Sequence, residues 1–221
     1  MTLFEAMSTR HTVRKYMDKP LTQEHIDAIN TRTEHHNKTY NLSMKLLTND
    51  TRAFGTVTKF LMAKTVKNTI ILSGKDASNL DEKLGYSGAD IILYAQSLGL
   101  NTWWIGETFN KKSTPTLVNG DTVIGVIALG YGVNQGVPHK SKPTEAISHY
   151  EGQPPAWFNQ GIEAALLAPT ARNKQAFFIT GKENKVSITC DNGVYTGADL
   201  GIVKYHFELG AGTTNFEWTD K

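Results

Sequence analysis

Tyr86-Ser87-Gly88-Ala89-Asp90 and Tyr195-Thr196-Gly197-Ala198-Asp199 are near copies of one another, and each opens an apolar stretch, the first closing at Leu98-Gly99 and the second at Leu209-Gly210. The offset between the copies stays at about 110 residues, and upstream Gly74-Lys75 pairs with Gly181-Lys182 at a similar offset, each ending a short β-like run. The pattern predicts two strand-and-helix units packed against each other. One polypeptide would then enclose a site that other proteins assemble between subunits.

Outward from the repeat, the chain alternates between elements. Helices are predicted over Leu3–Ser8, over Gln23 to about Thr33 behind the capping residue Thr22, and over Ala156–Ala168. A further helix runs from Tyr195 to Leu209 and is stopped by Gly210. Strands are expected around Leu42, Met44 and Leu46, and over Thr69–Ser73, Ala176–Thr180 and Val186–Cys190, with a tight turn at Asp191-Asn192-Gly193. The run Val123–Tyr131 is apolar on both faces and reads as a central strand. Residues 132–155, rich in Gly, Pro, Ser and Lys, read as the connection between a first half-unit, 1–150, and a second, 151–221.

At 221 residues with 39% hydrophobic residues, the chain can bury a sizeable core as one intertwined domain. A net charge of +2 with no basic cluster interleaved with aromatics argues against a nucleic-acid partner. No apolar run reaches signal or membrane length, so a soluble, cytoplasmic protein without a membrane partner is expected. Cys190 is the only cysteine and reads as an ordinary strand position. His35-His36 lack a third ligand at helical or hairpin spacing and read as exposed helix-end histidines, so no metal is expected.

Two segments carry chemistry. In Arg10-His11-Thr12-Val13-Arg14-Lys15-Tyr16, an extended backbone sends Arg10, Thr12 and Arg14 to one face and His11 and Val13 to the other. Guanidinium forks and a hydroxyl suit phosphate oxygens. Arg10 and Arg14 lie about 13 Å apart on an ideal strand, which calls for a long ligand, a mononucleotide with its phosphate at Arg10 and Thr12 and its ring nearer Arg14. The spacing alone favours a solvated basic strand, because surface arginines are common. The second segment, Ala168-Pro169-Thr170-Ala171-Arg172-Asn173-Lys174-Gln175, breaks a helix and presents two carboxamides suited to a uracil-like ring edge. It also fits a plain proline-terminated helix end. Trp103-Trp104 offer stacking surface, with one of the two expected to be buried away from the site.

Together these segments resemble the nitroreductase family of FMN-dependent oxidoreductases. Arg10 to Tyr16 is similar to the family's opening Arg-x-Ser/Thr-x-Arg/Lys segment with its following aromatic, and Ala168 to Gln175 matches Ala-Pro-Ser/Thr-x-x-Asn-x-Gln. Gly99-Leu100-Asn101-Thr102-Trp103-Trp104-Ile105-Gly106 resembles Gly-Leu-Gly-Thr-x-Trp-Ile-Gly with Asn101 in place of glycine. Gly130-Tyr131-Gly132 and Lys140-Ser141-Lys142-Pro143 resemble the late Gly-Tyr-Pro and basic pair. The Ala-Pro-Thr loop comes late here, in the second repeat, whereas family members carry it early and use it to reach a flavin bound mainly by the partner subunit. The first repeat has no Asn-x-Gln over 63–69.

The resemblance implies an α+β fold, with a central, mostly antiparallel sheet flanked by helices, built as a pseudo-dimer of two half-units. It implies one FMN per chain, with NADPH or NADH passing hydride through it to a nitroaromatic or quinone in ping-pong fashion. Arg10, His11 and Thr12, with Lys140 and Lys142, would hold the FMN phosphate side. Arg14 would approach N1 and O2, where a fixed cation stabilises negative charge left by hydride uptake. Backbone amides at Gly106 and Glu107 would lie near N5, and Pro169, Thr170, Asn173 and Gln175 would face the flavin from the second half. No side chain is expected to act as acid, base or nucleophile. Dehalogenation, flavin fragmentation and flavin binding without turnover remain alternatives. A monomer would suffice for the site, with a homodimer left open.

Overall fold

The computed structural model describes residues 1–62 and 65–219. Of the 63–69 segment that the repeat would align with the late loop, 63 and 64 lie outside the described residues. Helix α1, Leu3–Thr9, starts in a capping box, with Thr2 Oγ1 accepting from Glu5 N and Glu5 Oε2 from Thr2 N. Helix α2 runs Gln23–Tyr40 behind the Thr22 cap, a full seven residues past the expected Thr33. Its polar second half, Glu34 to Tyr40, offers no apolar stripe, yet tertiary bonds hold it. Asn37 bonds both the N–H and the carbonyl of Met44, and buried His36 places Nε2 2.7 Å from Asp90 Oδ2. His36 is therefore not an exposed helix-end residue.

Strand β1, Lys45–Leu47, leads to β2, Asn68–Gly74, then helix α3, Leu80–Ser97, strand β3, Asn101–Ile105, the short helix α4, Thr114–Leu117, and strand β4, Thr122–Gly130. These strands form one antiparallel sheet in the order β1-β2-β4-β3. β4 is internal, as its two-sided apolar character predicts, and Val126 to Leu129 are fully buried. The second sheet is built from β5, Ser148–Tyr150, then, after helix α5, Ala156–Ala165, from β6, Phe177–Lys182, and β7, Lys185–Cys190, and, after helix α6, Thr196–Ala211, from β8, Glu217–Trp218. Its order is β5-β6-β7-β8, antiparallel only between β6 and β7. The short strand β5 lies in the segment expected to be a plain connection, and β8 has too few residues to show periodicity.

The repeated strings sit differently on their helices. Tyr86 lies inside α3, whereas Tyr195 is the residue before α6. α6 does not stop at Gly210 but runs to Ala211, and Gly212, at φ +76°, terminates it. α3 and α6 cross in direct backbone contact, because a Cβ on Gly85 would overlap Ala198 and one on Gly201 would overlap Glu82 and Tyr86. The halves also interlock through α1, whose Ala6 and Met7 join the core formed by α5, α6 and the second sheet. Among the described residues no helix is long and apolar enough to cross a membrane.

Candidate functional site

A cavity of about 660 Å³ opens where the two halves meet, within the range of pockets that hold cofactor-sized ligands. Its first wall is residues 10–14 beside β3 and the turn after it, Trp103 to Thr108. Its second is the 169–173 loop and the start of α6, with 137–139 closing one side. The 10–16 segment is held extended by Val13 N donating to Thr102 O (3.1 Å), Met17 N to Tyr131 O (2.8 Å) and Val133 N to Lys15 O (2.9 Å). Asn101, the residue standing where the family pattern has glycine, is buried here and ties this region together: its Oδ1 accepts from Gly132 N at 2.9 Å and its Nδ2 donates to Gln135.

Arg10 dominates the electrostatics. It is 4% exposed, its Nε is buried with no partner, and its side chain makes no ion pair or hydrogen bond among the described residues. Burial alone pushes its guanidinium down to about 10. His11 is lowered by burial and then by the charge of Arg10 and by His139, and it shares the cavity wall with Arg10, Thr12 and Arg14. Strict alternation had put His11 on the opposite face; the segment forms only isolated bridges, so it does not hold regular strand geometry. Behind the wall His206 is fully buried, its ring pushed down to about 3 by burial, with Nδ1 on Ile202 O and Nε2 unpartnered. Among the described residues no carboxylate perturbs Arg10 or His11, which share this wall with His139.

Toward the other end, Arg14 lies over the Trp103 ring at 5.4 Å from its centroid. Trp103 is buried, as expected for one of the pair, and Trp104 is half-buried, yet both contribute to the cavity lining. Gly106 and Glu107 line it too, as do Pro169, Thr170 and Asn173. Lys140, Lys142 and Gln175 do not belong to the wall. Gln175 is 1% exposed and acts as a staple: its Nε2 donates to Lys140 O and Asn173 Oδ1, its Oε1 accepts from Lys142 N, and its own N–H reaches Thr170 Oγ1. Lys142 Nζ is committed to Gln175 O at 3.0 Å, and Asn173 Nδ2 to Lys140 O at 2.8 Å. The carboxamides therefore fix a loop whose Arg172, Asn173 and Gln175 all carry positive φ, a conformation that costs energy for non-glycine residues.

Several wall residues escape sequence reasoning. Tyr195 and Asp199 belong to the repeated string and read there as fold markers, while His139 stood beside the basic pair without being singled out. Ala171 N donates to Asp199 Oδ1 at 2.9 Å, and burial pushes the Asp199 carboxyl up to about 6 against that bond. The copy residue, Asp90, has a different fate. It accepts from Arg32 at 2.5 and 2.6 Å, from His36 and from Tyr205, in a buried network outside the cavity wall. Cys190 is a half-buried thiol pushed up to about 12 by burial and nearby carboxylates, which suits the inert strand position.

The family described as "Putative TM nitroreductase" matches residues 2–211, so the chain belongs to a nitroreductase family. Among solved structures, a protein described as a "putative nitroreductase" from Thermotoga maritima aligns with a TM-score of 0.71 at 20% identity, over 100% of this chain and 89% of that one. A nitroreductase from Desulfovibrio desulfuricans in complex with FMN aligns at 0.56 and 18% identity, over 70% and 99%. A Bacteroides thetaiotaomicron protein described as an NADH dehydrogenase/NAD(P)H nitroreductase aligns at 0.53 and 19% identity, over 68% and 98%. At these identities the likeness establishes the nitroreductase-like fold. No curated protein matches the sequence.

Proposed function

We propose that this nitroreductase-family chain is an FMN-dependent oxidoreductase that uses NADH or NADPH to reduce a small acceptor such as a nitroaromatic or quinone. The observation that carries the reading is Arg10: a buried guanidinium without a counter-ion, in the wall of a cofactor-sized cavity. A desolvated cation left unpaired costs stability unless an anion completes it. A phosphate monoester is the anion that guanidinium geometry fits best.

The residues present fit FMN. Arg10, with His11 and the Thr12 hydroxyl, would hold the phosphate. Trp103 and Trp104 give flat apolar surface for a ring, and Arg14 sets a cation beside it. Gly106 and Glu107 would offer backbone amides to the ring edge, and Pro169, Thr170 and Asn173 would cover it from the second half. Lys140 and Lys142 contribute by holding that loop in place, and Gln175 by stapling the two segments together. FMN, when bound, would supply the hydride chemistry that links a nicotinamide donor to the acceptor in a ping-pong cycle. The protein excludes water with its tryptophans and loop and fixes positive charge along one wall. Both walls come from one chain, so a single polypeptide with one FMN is the proposed working unit.

The test is to purify the protein, release and identify its pigment, and measure NADH and NADPH oxidation with menadione or nitrofurazone. One FMN per chain and acceptor-dependent oxidation are expected. A colourless protein that takes up no FMN would end this reading; a yellow but inert one would make the chain a flavin binder without turnover.

A further inference from the structure

We infer that Asp199 donates the proton that a quinone acceptor needs when it is reduced in this cavity; the inference rests on the flavin reading above. Two carboxylates, Asp199 and Glu107, line the cavity. Glu107 is half exposed and spent on Arg172 at 2.8 Å and on Tyr195. Asp199 is held in place differently. It sits in the first turn of α6, one oxygen fixed by the Ala171 amide, and its second oxygen has no hydrogen-bond partner among the described residues. A pinned carboxyl with one oxygen uncommitted, at the wall of the cavity, is arranged to carry a proton rather than to pair with a cation.

The surroundings keep it protonated more than an ordinary aspartate. Burial pushes its carboxyl up to about 6, opposed only by the Ala171 amide. The titratable groups around it do not cancel this. Cys190, at the end of β7, stays a neutral thiol, and Lys204 behind it is paired with Glu82 at 2.6 Å, while Asp191 adds only negative charge. Arg172 is occupied by Glu107, and Tyr195 at the mouth is a phenol whose ionisation burial and Glu107 push further up. Arg10, His11 and His139 line the same cavity, but none of them perturbs the Asp199 carboxyl.

The balance is simple. A quinone gains hydride, two electrons and one proton, from the reduced cofactor, and one further proton from the Asp199 carboxyl, becoming the hydroquinone. The O–H bond of Asp199 breaks and a new one forms on the quinone oxygen. The aspartate left behind recovers its proton from water at the cavity mouth. A general acid placed in this way is worth about 10²-fold or more in rate.

Two measurements on the full chain test this. In the protein freed of pigment, carboxyl carbon NMR of aspartate-labelled material should show one carboxyl titrating near pH 6 that disappears in Asp199→Asn. In the FMN-loaded protein, rapid mixing should show menadione reduction falling as pH rises through about 6 in the wild type. In Asp199→Asn it should be slowed about 10²-fold and lose that pH dependence. An Asp199→Asn protein that keeps both the rate and the pH profile of the menadione step would overturn the inference and leave the flavin reading standing. The absence of any carboxyl titrating above pH 5 would overturn it as well. Failure to bind FMN at all would take down both.

Discussion

Arg172 Nη2 donates to Glu107 Oε1 at 2.8 Å, joining the late loop of the second half to the turn after β3 of the first. The pair stands at the exposed edge of the cavity, with Arg172 70% and Glu107 54% exposed at their side chains, so it acts as a latch between the halves more than as a stabilising bond.

Glu107→Gln should therefore leave thermal stability almost unchanged, within about 1 kcal/mol, while FMN leaves severalfold faster. Stopped-flow recovery of flavin fluorescence on dilution measures the second quantity. An unchanged release rate would mean that the latch does not restrain the ligand.

Arg10→Met should act in opposite directions on the empty and loaded protein. Removing an unpaired buried cation should stabilise the empty chain by about 1–3 kcal/mol, and the lost phosphate contact should weaken FMN by a similar amount. Riboflavin, which lacks the phosphate, should bind equally well to both forms. Denaturant melts with parallel FMN and riboflavin titrations separate these effects. Equal weakening of both ligands would place the phosphate elsewhere.

Asp90 links pH to stability in the usual carboxylate sense. Burial raises its carboxyl, but bonds from His36, Arg32 and Tyr205 outweigh that and hold it well below the usual range. The stabilisation is present above pH 4 and is lost as pH falls toward the depressed folded value. Asp90→Asn should destabilise by about 3 kcal/mol at pH 7, since Arg32 can turn toward water while His36 stays buried. The same substitution should flatten the acid limb of a stability-versus-pH curve measured by urea melts.

Gly201→Ala should cost about 1–3 kcal/mol by overpacking, because its new methyl would meet the backbone of Glu82 and Tyr86 where α3 and α6 cross. A drop of several degrees in Tm, with weaker FMN binding from displacement of the α6 start, is the expected outcome. A neutral effect would show that the crossing can separate at little cost.

Local patterns carried well. Thr22 announces a helix start that the structure bears out, and the two-sided apolar run 123–131 falls on the internal strand β4. The second half of α2 did not show itself, since its stability comes from Asn37 and His36 bonding to residues distant in sequence. Arg10, His11, Thr12, Arg14, Gly106, Glu107, Pro169, Thr170 and Asn173, which the family resemblance implies, all line the cavity. Gln175 and the lysines belonged to the family-like motifs, but their hydrogen bonds to the loop backbone did not show there, because a carboxamide suited to a ligand is equally suited to a backbone.

The repeated Tyr-Ser/Thr-Gly-Ala-Asp string shows where sequence stops. By itself the sequence determined the family resemblance and most of the elements, because periodicity, caps and motifs are properties of neighbouring residues. Only the tertiary structure decided that Asp90 is locked among Arg32, His36 and Tyr205 while Asp199 meets the cavity. Two identical side chains on similar helices have their carboxyls shifted in opposite directions by what packs against them, and burial and partners are set by contacts across the whole fold.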